Sequence, residues 1–88
     1  MSLMTDVPLR TQHDSSLDRL TPGMSGTIVR LQGYRAAMIR LMELGFVPGT
    51  HVEVVRYAPL GDPMELRLRD IHISVRRSEA RSIRIRPD

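Results

Sequence analysis

The chain has 88 residues, of which 41% are hydrophobic, 26% charged and 3% aromatic, and it contains no cysteine. A chain of this length forms one small domain that buries only about 60% of its unfolded surface, which argues against a deep enclosed active site. The lack of cysteine excludes disulfides, thiolate zinc sites and a cysteine nucleophile. Thirteen basic residues, all of them arginine, oppose ten acidic ones and leave a net charge of +3.

The N-terminal segment is polar and aperiodic and has no apolar signal core. We expect residues 1–15 to form a disordered tail and residues 16–88 to form the domain. Residues 1–3 precede a second methionine, Met4, and we expect them to derive from cloning. Because no apolar run reaches the roughly 20 residues that cross a bilayer, the sequence predicts a cytoplasmic protein without a membrane span.

The first predicted elements are a helical turn and a strand. Ser16 stands where it caps a turn, and Leu17 and Leu20 lie three residues apart on its apolar side. After the break at residues 21–23, the β-branched segment 27–31 predicts a strand.

One helix is predicted over residues 35–44, which consist mainly of strong helix formers. Gly45 favours the left-handed conformation that ends a helix, and Phe46 follows where a hydrophobic residue packs back on the last turn. Steps of about 100° per residue place most apolar side chains on one arc and leave Ile39 among the charged residues, partly exposed. The arc contains Ala37, Met38, Leu41, Met42 and Leu44.

The remaining chain alternates between apolar and polar residues, which is typical of half-buried strands. Strands are predicted at residues 51–57, 64–69, 71–75 and 83–86, with a short helical turn at 77–81 before the last one. Five short strands with one helix inserted after the first predict a mainly β fold, a small and partly open barrel.

No residue set of the sequence assembles a catalytic site, so we expect neither an enzyme nor a cofactor. Of the three histidines, His51 and His72 are far apart in the sequence, so only the fold could bring them together. With Glu53 or Asp62 they would form the ligands of an Fe²⁺ carrier. A metal site needs three or four convergent ligands, and we predict none here. Glu53 and Glu65 are expected to face arginines across the sheet.

An arginine-rich face is the first candidate interaction surface. It would contain Arg67, Arg69, Arg76, Arg84 and Arg86. These side chains would contact an acidic partner, a phosphate or an anionic membrane surface, or they belong to an ordinary solvated sheet face with Glu65 and Glu79 interspersed. Binders of single-stranded nucleic acid interleave arginines with aromatic platforms, and with three aromatic residues in the chain we expect no nucleic acid partner.

The helix is the second candidate surface. Met38, Ile39 and Met42 make its apolar surface wider than one contact with a sheet requires. Either these side chains all pack on the barrel, or Met42 and Ile39 contact a partner, a role that suits adaptable methionines.

Four ordered motifs resemble the FeoA family of small accessory proteins of bacterial ferrous-iron uptake, and the resemblance covers about residues 16–86. They read Leu20-x-Pro22-Gly23-x-x-Gly26-x-Ile28, Arg40-Leu41-x-Glu43-Leu44-Gly45-Phe46-x-Pro48-Gly49, Pro59-Leu60-Gly61-Asp62-Pro63 and Ile73-Ser74-Val75-Arg76-x-x-Glu79-Ala80. The resemblance implies an SH3-like β-barrel with an inserted helix, in agreement with the predicted order of elements.

The resemblance also implies a partner. This is FeoB, a membrane ferrous-iron transporter with a cytosolic G-protein domain, which the chain would bind and modulate near the membrane. Similar domains occur at the C-terminus of metal-dependent repressors, so a regulatory domain of that type, a basic nucleic-acid-binding barrel and a direct Fe²⁺ carrier stay as alternatives. The chain has no room for a helix-turn-helix domain, which favours a stand-alone accessory protein.

The contact residues expected from the helix are Arg35, Ile39, Arg40 and Met42, followed by Arg67 and Arg69 from the arginine-rich face. Arg35 and Arg40 are also conceivable arginine fingers in GTP hydrolysis, since such residues act in trans. Arginines and Pro63 near the strand ends would partly protect the sheet edges, so we expect a monomer or weak dimer.

Overall fold

Six β-strands form the framework of residues 14–88, the part of the chain that the computed structural model describes. They are β1 (Ser15–Ser16), β2 (Ser25–Leu31), β3 (His51–Tyr57), β4 (Met64–Leu68), β5 (Ile71–Val75) and β6 (Ile83–Pro87). Neighbouring strands are antiparallel, in the order β1-β6-β2-β3-β4-β5. The predicted class, a mainly β and partly open sheet, is confirmed, with one strand more than expected.

The additional strand is β1, whose Ser15 and Ser16 pair with Ile85 and Arg84 of β6. Two residues are too few for a period of two to be seen in a sequence. A 3₁₀ helix (Leu17–Arg19) follows, and the prediction that the Ser16 side chain caps it is wrong, because this buried side chain makes no cap hydrogen bond. Ser15, expected in the tail, belongs to the sheet, and the rest of the predicted tail, residues 1–13, lies outside the described residues.

Helix α1 (Arg35–Glu43) joins β2 to β3 and ends as the sequence predicts. Gly45 has a φ of 113°, in the left-handed region. The N–H of Gly45 donates to the carbonyl of Met42 at 3.0 Å, and the N–H of Phe46 donates to the carbonyl of Leu41 at 3.0 Å. These two bonds form a Schellman motif, which turns the chain so that Phe46 enters the core.

Fourteen buried apolar side chains form one core between the sheet and the helices. They are Leu17, Leu20, Ile28, Leu41, Phe46, Val52, Val54, Met64, Leu66, Leu68, Val75, Ala80, Ile83 and Ile85. The predicted inward arc of α1 is therefore too wide. Leu41 is buried and Met38 half-buried, whereas Ala37, Met42 and Leu44 are exposed.

Local irregularities bend the sheet around this core. The pairing register shifts at Val29 in β2 and at Val55 in β3, each of which adds one residue to its strand and curves it. At Gly26 a Cβ atom would lie 2.6 Å from the Arg86 carbonyl oxygen, so the close approach of β2 and β6 requires glycine. Helix α2 (Arg77–Ala80) precedes β6. Within residues 14–88 no helix has the length and apolarity needed to cross a membrane.

Candidate functional site

The outer side of α1 presents apolar side chains to solvent. Ile39 is 44% exposed and Met42 45% exposed, which confirms that Ile39 is partly exposed. Arg35 is exposed in the first turn, and Tyr34, the N-cap residue, is 87% exposed. Tyr34 was not expected to contribute, although it is the one aromatic residue of the chain outside a strand or the core. The exposed surface of α1 thus combines an aromatic ring, two aliphatic side chains and a guanidinium group.

Arg40, also expected at this surface, is already engaged within the protein. Its guanidinium group forms an ion pair with Glu79 of α2. The same Glu79 carboxylate accepts a hydrogen bond from the backbone N–H of Arg76 at 2.9 Å. Arg40 therefore ties α1 to α2 and is less available to a partner than Arg35.

A groove of about 200 Å³ lies beside the C-terminal end of α1. Its walls are Leu44, Gly45 and Val47 on one side and Leu68, Arg69 and Ile71 on the other. Leu44 is 38% exposed and Ile71 60% exposed, so the groove opens to solvent through apolar side chains. Leu44 was predicted to face the core; instead the turn at Gly45 sends Phe46 there. The groove arises only when the hairpin of β4 and β5 folds against α1, so no pattern in the sequence shows it.

The remaining two predicted contact residues lie on the β4–β5 hairpin. Arg67 forms an ion pair with Glu53, its cross-strand neighbour on β3, as expected for outward-facing glutamates. Arg69 occupies the two-residue turn with a φ of 55°, is exposed, and makes no ion pair within residues 14–88. The six predicted residues are thus divided between α1 and the hairpin, and the groove lies where these elements meet.

The structure does not gather the five arginines of the predicted arginine-rich face. Arg84 and Arg86 lie on β6, and β2 and β3 separate them from Arg67 on β4. Carboxylates are interspersed on this sheet. Glu65 pairs with Arg56 at 2.9 Å, and Asp14 pairs with Arg30 at 2.9 Å. The outer surface has mixed charge, as in the solvated-face interpretation.

The candidate metal ligands do not converge. His51 Nε2 lies 2.8 Å from Asp88 Oδ2, whereas His72 lies opposite Arg67 on the neighbouring strand. Glu53 is paired with Arg67, and Asp62 accepts a hydrogen bond from the backbone N–H of Arg77 at 3.0 Å. No group of three or more histidine, aspartate or glutamate side chains in the described part could hold a metal ion.

Asp88 is held by two partners on neighbouring strands. Ser25 Oγ donates a hydrogen bond to Asp88 Oδ2 at 2.6 Å, and His51 contacts the same oxygen. The Ser25 hydrogen bond, and after it the contact with His51, lower the pKa of the Asp88 carboxyl below its ordinary value of 3.8. In this arrangement Ser25 donates to the carboxylate and not to the histidine, so the three groups do not form a nucleophile with its base.

The loop between β3 and β4 presents another apolar side chain, Leu60, which is 96% exposed. Arg77 holds the base of this loop. Its guanidinium carbon lies 4.6 Å from the centre of the Tyr57 ring, and its Nη2 donates to the Asp18 carbonyl at 3.0 Å. Together with the bond from the Arg77 N–H to Asp62, these contacts fix the loop on α2 while leaving Leu60 outside.

Comparison with known proteins gives a family and a context. The profile of the FeoA domain matches residues 15–87. A fusion protein of Fe²⁺ transport protein A and the Fe²⁺ transporter FeoB from Porphyromonas gingivalis is 39% identical over 69 residues. That match covers 78% of this chain and 8% of the fusion protein, so the chain corresponds to a small part of its relative.

Solved structures share the fold. A Stenotrophomonas maltophilia FeoA in complex with zinc, described as a prokaryotic SH3 domain protein, is 29% identical with a TM-score of 0.72, over 81% of this chain and 88% of that chain. A manganese-dependent transcriptional repressor in complex with manganese has a TM-score of 0.78 at 12% identity, over 85% of this chain and 37% of that chain. At 12% identity this second likeness shows the fold alone.

Proposed function

The chain belongs to the FeoA family, and we propose that it is a non-catalytic accessory protein of ferrous iron transport that binds the cytosolic part of an FeoB-type transporter and modulates it. The observation that carries this proposal is the fusion of the two proteins in a relative 39% identical to the chain. Fusion holds two domains at a high effective concentration, an arrangement useful to domains that bind one another. No metal cluster in residues 14–88 favours an Fe²⁺ carrier instead.

The outer side of α1 is the proposed contact surface. Ile39 and Met42 lie three residues apart, so they are neighbours on one face of the helix, and both are nearly half exposed. Removal of such apolar side chains from water favours association, and adjacent exposed apolar side chains mark protein contact sites. Arg35 adds a cation in the same helix, which suits a partner surface with carboxylates.

Binding to the purified cytosolic domain of the transporter, followed by isothermal titration calorimetry with the whole chain, tests this proposal. Met42→Asp and Ile39→Asp each place a charge in the proposed contact, and we expect at least a tenfold weaker affinity. The matched control is Ala37→Asp, which introduces the same charge at another exposed position of α1. Affinities equally weakened by all three variants would show a general charge effect and not a contact at Ile39 and Met42.

Hydrolysis of GTP, followed in the same samples, tests the modulation. If Arg35 acts as an arginine finger, Arg35→Ala lowers the hydrolysis rate while the affinity falls little. If α1 acts by binding alone, the affinity and the rate fall together. No binding of the unsubstituted chain, with or without GTP, would refute the proposed function.

A further inference from the structure

Strand β5 forms one end of the sheet, and its outer edge carries free backbone groups. Its only neighbour within residues 14–88 is β4, to which it is joined by the two-residue turn Arg69-Asp70. Such a turn makes the flanking Leu68 and Ile71 a hydrogen-bonded pair, and hydrogen bonding then alternates along the hairpin. The N–H and C=O groups of His72 and Ser74 therefore point away from β4. Within residues 14–88 they accept and donate no backbone hydrogen bond across this edge.

The arginines that flank β5, Arg69 and Arg76, lie outside the strand, and the strand itself lacks three features that prevent strand addition. Those features are proline, a bulge or an inward-pointing charge in the edge strand. Strand β5 has none of them: its sequence is Ile71-His72-Ile73-Ser74-Val75, and its pairing with β4 is regular. His72 and Ser74 are exposed. Pro63, expected to protect an edge, instead precedes β4, an interior strand.

The apolar groove adjoins the same edge. Ile71 is both the first residue of β5 and part of the groove wall, opposite Leu44 and Val47. Side chains of adjacent antiparallel strands lie side by side on each face of a sheet. A strand added to β5 would therefore place one side chain next to Ile71, on the face where the groove opens. About 200 Å³ of space between Leu44, Val47 and Leu68 suits an aliphatic side chain.

The charge at the rim favours a particular kind of occupant. Arg69 lines the groove, is exposed and has no ion-pair partner within residues 14–88, whereas Arg67 is neutralised by Glu53. A carboxylate on the added segment would complement Arg69.

A second copy of this chain suits the edge less well than an acidic segment does. Antiparallel pairing of two β5 strands that uses all their free groups sets His72 opposite Ser74. That register sets Asp70 opposite Arg76 of the other copy, and the residue level with Arg69 is Arg77, which begins α2 and is held by Tyr57 and the Asp18 carbonyl. A second copy therefore supplies no carboxylate to Arg69.

We propose that the β5 edge and the groove together bind an extended segment of a partner protein, which pairs with His72 and Ser74, inserts one aliphatic side chain beside Ile71 and sets a carboxylate against Arg69. This is strand addition, in which the backbone supplies affinity and a side-chain pocket supplies specificity. The site is separate from Ile39 and Met42 on α1, and it stands whether or not the chain binds a transporter.

A synthetic peptide tests the site directly. The probe is an acetylated and amidated peptide of seven residues, in which three leucines alternate with two threonines between terminal aspartates. Added to the ¹⁵N-labelled chain, it should shift the backbone amide signals of His72, Ser74 and Leu44. A peptide with asparagine at both ends is the charge control, and we expect it to bind at least threefold more weakly.

A substitution separates edge pairing from groove binding. Ser74→Pro removes an outward N–H that no backbone acceptor of residues 14–88 uses, so the fold tolerates it, which the amide signals of β4 verify. We expect it to weaken peptide binding at least tenfold, whereas Ser74→Ala leaves binding unchanged. Arg69→Glu should abolish the preference for aspartate over asparagine.

Three results would overturn the proposal. The first is no shift at millimolar peptide, and the second is equal binding by the Ser74→Pro and Ser74→Ala variants. The third is a shift of His72 and Ser74 with protein concentration in the absence of peptide, because it would assign the edge to a second copy of the chain. None of these results bears on the α1 surface, which has its own test.

Discussion

Helix α1 and strand β4 contain similar proportions of apolar residues, six of nine and three of five, but use them in opposite ways. Strand β4 buries three of its five residues, Met64, Leu66 and Leu68. Helix α1 buries one of nine, Leu41, and leaves Ile39 and Met42 nearly half exposed. The difference indicates that the sheet carries the stability of the domain. The helix is fixed to the sheet near its C-terminal end, and its other apolar residues are free to contact something else.

The largest effect we expect comes from breaking the link between the two regions. Phe46, fully buried, follows the Schellman turn and connects the end of α1 to the core. Phe46→Ala removes its ring and leaves a cavity, which should lower the free energy of unfolding by about 3–5 kcal/mol. Chemical denaturation followed by circular dichroism measures this change.

The matched substitution on the exposed side of α1 is Met42→Ala. It should change the free energy of unfolding by about 0.5 kcal/mol or less, because it removes few core contacts. If Met42→Ala cost as much as Phe46→Ala, α1 would be part of the core and the contrast between helix and strand would fail.

The sequence predicts much of the fold because its local signals agree with the tertiary structure. The alternation of apolar and polar residues predicts strands at residues 51–57 and 71–75, and β3 and β5 begin and end at these residues. Gly45 and Phe46 mark the end of α1 because the turn there depends on backbone conformation, which is local. The pairing of Glu53 with Arg67 also follows, since both alternate outward on neighbouring strands.

The candidate site is harder to predict, since it depends on contacts between distant parts of the chain. The pattern of α1 places Leu44 on the apolar arc, and only the packing of the hairpin shows that it lines a groove. Strand β1 is held by its pairing with β6, at the other end of the chain, and has no pattern of its own. Arg40 looks like a surface cation until α2 brings Glu79 beside it.

An intermediate effect is expected at the joint between helix and sheet. In Gly45→Ala the backbone must keep a φ of 113°, which L side chains rarely adopt, and the new Cβ would lie 3.2 Å from Leu68 Cδ2. We expect a loss of about 1–3 kcal/mol in the free energy of unfolding, mainly from backbone strain. Thermal and chemical denaturation measure the loss.

The Gly45→Ala substitution also distinguishes the local stability of α1 from that of β4. Strain at Gly45 should increase amide hydrogen exchange in the last turn of α1 more than in β4, because the helix has one buried anchor and the strand has three. Equal increases in both elements would mean that helix and sheet open as one unit.

The smallest effect is expected on the outer face of the sheet, where Asp88 receives the Ser25 hydrogen bond and contacts His51. These contacts lower the pKa of the Asp88 carboxyl below 3.8, so the folded state favours the ionised form. The resulting stabilisation is present above pH 3.8 and is lost as the pH falls through the lowered pKa.

Asp88→Asn should therefore lower Tm slightly at pH 6, and the difference from the unsubstituted chain should disappear in strong acid. Ser25→Ala removes the larger cause of the shift and should reproduce most of this pH dependence. A difference in Tm between Asp88→Asn and the unsubstituted chain that stays constant with pH would assign the effect to shape and not to charge.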